Sequence, residues 1–180
     1  MNSASTVNRI PLLPIEEHRR RQRRDESELP QLWSLLDEVK DPEIPVISIW
    51  ELGVLQDIQQ CEGKITVTIT PTYSGCPAMG VIAEDIVSAL ESGGYPGSEV
   101  VTRLSPAWST SWIIEDAQEA LRSYGIAPPG YSCGGREAEV HCPQCGSNNV
   151  ASISEFGSTA CKSLYKCSDC AEPFDYFKPI

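Results

Sequence analysis

The stretch Thr70-Pro71-Thr72-Tyr73-Ser74-Gly75-Cys76-Pro77 joins a strand pattern to a helix pattern and places one cysteine at the junction. Before it, residues 64–70 alternate apolar and hydroxyl side chains with the two-residue period of a half-buried strand. After it, apolar residues recur at helical spacing, and Pro77 suits the first position of a helix. Cys76 is therefore expected at or just before a helix N-terminus, where free backbone N–H groups favour a thiolate. A small buried turn residue is the alternative for a lone cysteine.

The residues that precede this junction predict a helix followed by a hairpin. One apolar helix face is formed by Leu32, Leu35, Leu36 and Val39. The helix should end at Asp41-Pro42-Glu43-Ile44-Pro45, because each proline lacks an N–H and restricts the residue before it. Residues 54–59 then alternate as a strand, and Cys61-Glu62-Gly63 is typical of a hairpin turn.

The residues that follow the junction predict a third strand and a last helix. Residues 93–97 carry three glycines and a proline that end the first helix, and residues 99–104 form a strand pattern. A helix is expected from Thr110 through Ser123, with Gly125 just past its end. The sequence thus predicts an α+β fold over residues 29–125, a small mixed sheet covered by helices.

Two segments outside this unit lack a core pattern. Residues 1–28 contain a block of mixed charge from Glu16 to Glu26, and we expect a disordered tail whose basic cluster is either solvated or a docking site for an acidic partner. Residues 126–140 are rich in glycine and proline without periodicity, which predicts a linker. Cys133 lies in that linker and is expected to be an exposed thiol without metal.

The composition limits the function classes. The chain has 180 residues, eight of them cysteine, and a formal net charge of −11. It shows neither a signal-peptide core nor the run of about 20 apolar residues that a membrane span needs. Cysteines in such a chain indicate metal or thiol chemistry in the reducing cytoplasm, with no membrane association. The acidic charge argues against nucleic acid as the main partner, because it repels phosphate.

Two C-x2-C pairs predict a zinc ribbon over residues 141–180. Cys142-Pro143-Gln144-Cys145 and Cys167-Ser168-Asp169-Cys170 can together present four thiolates to one ion in a closed tetrahedral site. So short a segment cannot build a stable apolar core alone, so metal binding should supply folding free energy. Redox pairs are the competing interpretation. Cys161 lies between the pairs and either packs in the ribbon or acts as a second functional thiol, with the charge of Lys162 favouring its thiolate.

The sequence offers little apparatus for covalent or acid–base catalysis. Its two histidines are His18 in the expected tail and His141 beside a zinc ligand, so no thiol or hydroxyl has a well-placed base. Asp41 and Glu43 flank a proline in a loop and are expected to cap and end the helix. If this loop folds against Cys76, the two acids could instead tune its thiol or supply a hard ligand to a transient iron site.

Several of these stretches resemble known families. Asp41 to Pro45, Glu51-Leu52-Gly53 and Thr70 to Pro77 are similar to the metal-sulfur cluster assembly domain of SufT-type proteins, over about residues 30–125. A narrower resemblance covers all but the tail and adds the C-terminal ribbon. It is to the PaaD (PaaJ) family, the D subunits of phenylacetyl-CoA epoxidase systems, through the segments 71–77, 106–108, 153–162 and 172–177.

The PaaD resemblance implies a non-catalytic accessory factor of aerobic phenylacetate degradation. Such a factor is needed for an active phenylacetyl-CoA 1,2-epoxidase, by assembling or repairing the iron-sulfur cluster of the reductase component. The implied transfer residues are Cys76, Cys161, Asp41, Glu43 and Thr72, which would hold iron or a cluster in transit, while the ribbon keeps Zn²⁺.

The implied partners are the reductase and oxygenase components, and a homodimer is an open alternative for the chain itself. Two other functions stay open beside cluster assembly. The chain could be a structural adaptor between oxygenase and reductase. It could also be a thiol oxidoreductase that uses Cys76.

Overall fold

The structure, a computed structural model, describes residues 15–130 and 139–180. A short 3₁₀ turn, Thr110–Trp112, precedes the last helix. The helices are α1 (Ile15–Asp25), α2 (Pro30–Leu36), α3 (Ala78–Ser92) and α4 (Glu115–Tyr124). The strands are β1 (Lys40–Asp41), β2 (Ile44–Ser48), β3 (Leu55–Cys61), β4 (Lys64–Ile69), β5 (Glu99–Thr102), β6 (Ile126–Ala127), β7 (Val150–Ser154), β8 (Lys162–Cys167) and β9 (Pro173–Phe177).

The central sheet has the order β3-β4-β5 and is built around the hairpin that the sequence predicts. Glu62 and Gly63 form its turn with φ of 50° and 83°, the positive values that a two-residue hairpin turn requires. Strand β5 then joins β4 in parallel, with Val100 opposite Val67. A parallel neighbour needs a crossover, and α3 supplies it. The α+β class is confirmed.

Helices cover the sheet through a continuous apolar core. Helix α2 packs on α3, and α4 packs on β2. The spacing that predicted α3 is confirmed by Ile82, Ile86 and Leu90, which are all buried. The predicted first helix is shorter than expected, because α2 ends at Leu36 and the chain then forms the two-stranded ladder of β1 and β2.

Residues 15–25 differ from the disordered tail that the sequence predicts, because they form α1 and pack on the core. Arg20 is fully buried, with its guanidinium 3.9 Å from the centre of the Trp50 ring. It donates to the carbonyl oxygens of Trp50 at 2.8 Å and Trp112 at 3.0 Å. Buried Glu17 neutralises it at 2.9 Å. The charge block therefore anchors a helix, since paired and hydrogen-bonded arginine can be buried. Residues 1–14 lie outside the described residues.

The C-terminal sheet has the order β6-β9-β8-β7 and contains the ribbon. Its strand β6 falls at the start of the segment expected to be a linker, where Ile126 and Ala127 are buried beside Asp175 and Tyr176 of β9. Apolar character within a Gly/Pro-rich segment was the signal for this strand. Cys133, expected as an exposed thiol, lies outside the described residues.

The ribbon packs directly on the α+β unit. Cys161 and Phe177 belong to the main apolar core, and the Phe177 and Trp108 rings lie 5.9 Å apart between centroids. The backbone N–H of Thr110 donates to the carbonyl oxygen of Ile180 at 3.2 Å. Among the described residues, no helix combines the length and apolar character needed to cross a membrane.

Candidate functional site

One small cavity brings together five of the residues singled out from the sequence. Its volume is about 20 Å³, and it lies where the ribbon meets the α+β unit. Cys76, Cys161, Asp41, Glu43 and Thr72 all line it. Because Glu43 is exposed and Cys76 is only half-buried, the cavity is accessible from that side. The remaining lining residues are Ile44, Leu52, Tyr73, Pro77, Ala78, Thr159 and Phe177.

Cys76 lies two residues before α3, in a tight turn where its N–H donates to the carbonyl oxygen of Tyr73 at 3.1 Å. Burial raises the pKa of its thiol, and this effect exceeds the lowering by the Ala78 N–H and the Thr72 hydroxyl. The nearby charges of Asp41 and Cys161 raise it further. The position at a helix start agrees with the sequence, but the expected thiolate does not. Without a bound cation, Cys76 is a neutral thiol.

Cys161 enters the cavity from the loop that connects β7 to β8. The Thr159 Oγ1 lies 3.0 Å from its sulfur, and the loop closes with hydrogen bonds from Gly157 N to Lys162 O and from Lys162 N to Thr159 O. Burial raises the pKa of Cys161 more than the Thr159 hydroxyl and the Lys162 charge lower it. The expectation that Lys162 alone would favour a thiolate is therefore wrong for the ion-free site.

Asp175 on β9 holds this loop in place. Its Oδ2 accepts a hydrogen bond from the Ser158 hydroxyl at 2.7 Å and lies 3.7 Å from the buried Lys162 ammonium. A Cβ atom at Gly157 would overlap Oδ1 of Asp175, so only glycine fits there without displacement. Sequence reasoning missed Asp175, Ser158 and Thr159, although Asp175 lies within one of the quoted stretches.

Asp41 is buried at the turn between β1 and β2. Its Oδ1 accepts hydrogen bonds from the backbone N–H groups of Glu43 at 2.9 Å and Ile44 at 3.0 Å, so Oδ2 is the oxygen left for another partner. Burial raises the pKa of this carboxyl, although the two N–H groups and Lys162 lower it. Its local role differs from helix capping, because α2 ends at Leu36. Asp41 instead fixes a turn and faces the thiols.

The ribbon holds a second cluster. Cys142, Cys145, Cys167 and Cys170 have sulfur atoms that all lie within 4.8 Å of one another. Two of the distances, Cys142 to Cys170 and Cys145 to Cys167, are 3.7 and 3.6 Å. A tetrahedral zinc ion with bonds of about 2.3 Å requires sulfurs about 3.8 Å apart, so the four side chains fit zinc. In the described parts of the chain, no other group of three or more Cys, His, Asp or Glu residues lies close enough together to hold an ion.

Backbone geometry supports this four-thiol cluster. Gly146 and Ala171 follow the second cysteine of each pair and have positive φ, which turns each loop back toward its own thiols. The N–H groups of Cys170 and Asp169 lower the pKa of Cys167 to about 7, which favours a metal-binding thiolate. Asp169 links the two loops by accepting from Ser147 at 2.5 Å and from Asn149 at 2.7 Å. The four positions are closed, without an open site for catalysis.

Comparison with known proteins gives matches for both parts of the chain. Residues 30–102 match the family described as iron-sulfur cluster assembly protein, and residues 127–178 match the PaaD zinc beta ribbon domain. A protein of Porphyromonas gingivalis named as an Fe-S protein maturation auxiliary factor is 35% identical over 48% of this chain and 84% of its own length. A solved domain of unknown function from Bacillus anthracis is 29% identical, with a TM-score of 0.48 over 51% of this chain and 89% of that one.

The match over both parts together is to a protein of Escherichia coli that is named as a subunit of 1,2-phenylacetyl-CoA epoxidase. The two chains are 49% identical over 152 residues, which are 83% of this chain and 92% of that one. This alignment is too long and too similar to reflect one shared domain alone. The chain therefore belongs to the PaaD family.

Proposed function

We propose that this chain is a non-catalytic accessory factor that assembles or repairs the iron-sulfur cluster of the reductase component of a phenylacetyl-CoA epoxidase system. The observation that carries the proposal is the single cavity lined by Cys76 from the assembly domain and Cys161 from the ribbon. The names of the similar proteins support it, since one is an epoxidase subunit and another an Fe-S maturation factor.

The cavity residues have distinct roles in this proposal. Cys76 and Cys161 bind iron or a cluster in transit through their sulfurs, since thiolates are the ligands of iron-sulfur clusters. Thr72 and Thr159 orient the two thiols, and Asp41 adds an oxygen ligand. Glu43 lies at the exposed side of the cavity and meets the incoming client. The ribbon keeps zinc permanently and docks the reductase and oxygenase components.

The test is to produce the reductase with this protein or with its Cys76→Ser or Cys161→Ser variant and to measure iron and acid-labile sulfide in the purified reductase. We expect lower cluster content with either variant. Cys61→Ser is the matched control, because Cys61 is an exposed thiol outside the cavity. Equal cluster content with wild-type and Cys76→Ser protein would overturn the proposal.

A structural adaptor is the second candidate, favoured by the net charge of −11, which suits bridging to basic surfaces. In that case Cys76→Ala leaves epoxidation intact, while charge reversal on the ribbon surface abolishes it. The two outcomes separate adaptor from assembly factor without any need to detect a transient iron species.

A thiol oxidoreductase is the third candidate, because two cysteines line one cavity. It requires that Cys76 and Cys161 form a disulfide under mild oxidation and pass it to a client thiol. Peptide mapping after mild oxidation of the zinc-loaded protein tests this directly.

A further inference from the structure

We propose that the cargo held in the cavity is a single iron(II) ion, bound by the sulfurs of Cys76 and Cys161 and by Oδ2 of Asp41. This inference rests on the proposed function and specifies its cargo as one ion rather than an assembled cluster.

The size of the cavity decides between an ion and a cluster. Its volume is about 20 Å³. A cavity of about 10–15 Å³ accommodates one water-sized sphere, so this one holds a single ion or water. A [2Fe–2S] cluster has two irons and two sulfides and takes four protein ligands. Only two of the described cysteines line the cavity. A whole cluster would need both a larger space and further ligands.

The donor set is suited to a divalent transition metal. Two thiolates are soft ligands that suit iron or zinc, and a carboxylate oxygen is a harder ligand that iron(II) also accepts. Both backbone hydrogen bonds to Asp41 fall on Oδ1, so the turn is held while Oδ2 remains for the ion. Three protein ligands leave a coordination position open on the accessible side of the cavity, where a client ligand can bind.

The charges around the cavity balance with one divalent ion. Two thiolates and the Asp41 carboxylate carry three negative charges, and the Lys162 ammonium, only 3% exposed, contributes one positive charge. A divalent cation brings this buried group to neutrality, which low-dielectric surroundings favour. Without the ion, burial raises the pKa of both thiols and of the carboxyl, so protons occupy the place of the metal.

The arrangement is built for exchange, in contrast to the ribbon. Among the described residues, the ribbon cysteines lie close enough together to hold an ion as they stand, whereas Cys76, Cys161 and Asp41 do not. Binding of iron therefore requires a side-chain rotation, which lowers affinity and keeps the ion labile. Transfer is then a ligand exchange at iron(II) without oxidation or reduction. Client thiolates form new Fe–S bonds as the bonds to Cys76 and Cys161 break, and these two sulfurs take up the protons that the client thiols release.

The experiment uses the full-length, zinc-loaded protein under anaerobic conditions. It is titrated with iron(II) and, as a spectroscopic probe, with cobalt(II), whose thiolate charge-transfer intensity counts bound sulfurs. We expect one additional ion per chain beyond the ribbon zinc. The intensity should fall to about half in Cys76→Ser and in Cys161→Ser and stay unchanged in the exposed-thiol control Cys61→Ser.

Asp41→Asn is the sharpest variant, because the amide oxygen can still accept the two backbone hydrogen bonds and so preserves the turn. It should keep the two-thiolate cobalt spectrum and lose about tenfold or more in iron affinity. Unchanged affinity would remove Asp41 from the ligand set and overturn the inference.

Two further outcomes separate this inference from the proposed function. If the protein takes up two irons and acid-labile sulfide per chain when both are supplied, it carries a cluster, and the single-ion inference is wrong while the assembly role stands. If the reductase acquires its full cluster content with Cys76→Ser protein, the assembly role itself fails. An absence of any ion beyond the ribbon zinc in wild-type protein also overturns the inference.

Discussion

At the scale of single residues, Cys76 shows a competition between two opposing effects on one thiol. The start of α3 offers an N–H group and a favourable dipole, which stabilise a thiolate by about 0.3–1 kcal/mol at an exposed site. Burial opposes ionisation and can shift the pKa of a group by several units. Burial is the larger effect here, so the pKa of Cys76 is raised. A cation that replaces the proton reverses this balance, which is the property that a metal-transfer thiol needs.

The first prediction concerns the pH dependence of thiol alkylation in zinc-loaded protein without iron. Because burial raises the pKa of both Cys76 and Cys161, their alkylation should be slow near neutral pH. The rate should keep rising beyond the ordinary thiol pKa of about 8.5. Peptide mass spectrometry of samples quenched across the pH range measures each site separately. A plateau below that value in the folded protein would contradict the prediction, and unfolded protein is the control.

The same shifts fix the sign of the effect on stability. A thiol with a raised pKa in the folded state binds its proton more tightly there than in the unfolded chain. The stability contributed by neutral Cys76 and Cys161 is therefore fully present below the ordinary thiol pKa and is lost as the pH rises through the raised values. Stability of the ion-free protein should decline in alkaline solution.

At the scale of elements, the loop between β7 and β8 determines where Cys161 lies. It closes on itself through backbone hydrogen bonds and is fixed from outside by Asp175. Gly157 lies against that carboxylate, so the loop depends on the absence of a side chain at this position. A single methyl group should therefore move a residue of the candidate site.

The second prediction tests this loop with Gly157→Ala. The added methyl group should displace Asp175 or the loop, cost about 1–3 kcal/mol of unfolding free energy and speed the alkylation of Cys161. Gly80→Ala is the matched control, because nothing lies within 4 Å of a Cβ there and a helix interior gains about 0.5–1 kcal/mol from alanine. Urea unfolding and alkylation rates measure both effects. Unchanged Cys161 reactivity in Gly157→Ala would show that Asp175 does not position the loop.

The third prediction concerns α1 and its buried arginine. Arg20→Met removes the main partner of buried Glu17 and two hydrogen bonds to backbone carbonyls, so it should cost about 3–5 kcal/mol. Arg19→Met is the control, since the Arg19 side chain is 59% exposed and such positions change stability by about 0.5 kcal/mol or less. Denaturant unfolding followed by tryptophan fluorescence is suitable, because Arg20 lies on the Trp50 ring. Equal stability of the two variants would mean that α1 is not held by this residue.

At the scale of the whole molecule, the ribbon is half of the candidate site as well as a metal-binding module. Strand β8 begins next to Cys161 and ends at the zinc ligand Cys167. Six residues of extended chain span about 20 Å, so zinc and the cavity lie at opposite ends of one strand. Loss of zinc should therefore disturb the cavity.

The fourth prediction is that removal of zinc from native protein by a chelator raises the alkylation rate of Cys161. The ribbon strands lose their main source of folding free energy, so the loop should leave the cavity. Cys142→Ser should act in the same direction without a chelator. Restored zinc should return Cys161 to its protected state. Cys161 that stays protected after complete loss of zinc would contradict the coupling between the two sites.

The sequence predicted the features that depend on local spacing. Zinc ligands in C-x2-C pairs, the hairpin turn at Glu62-Gly63 and the strand–turn–helix around Cys76 all follow from neighbours in the chain. Features that depend on distant contacts were out of its reach. Arg20 is buried because its partners Trp50 and Trp112, 30 and 92 residues away, close over it. The raised pKa values of the cavity thiols likewise come from burial, which no local pattern reveals.

The division of the candidate site between two folding units also sets an order of events in the life of the chain. A newly made chain that has not yet acquired zinc has Cys76 in place but no second thiol to complete the cavity. We expect such a chain to ignore iron, so zinc must be loaded first. The protein would then respond only when both metals are in supply, and a shortage of zinc would appear in the cell as a shortage of reductase clusters.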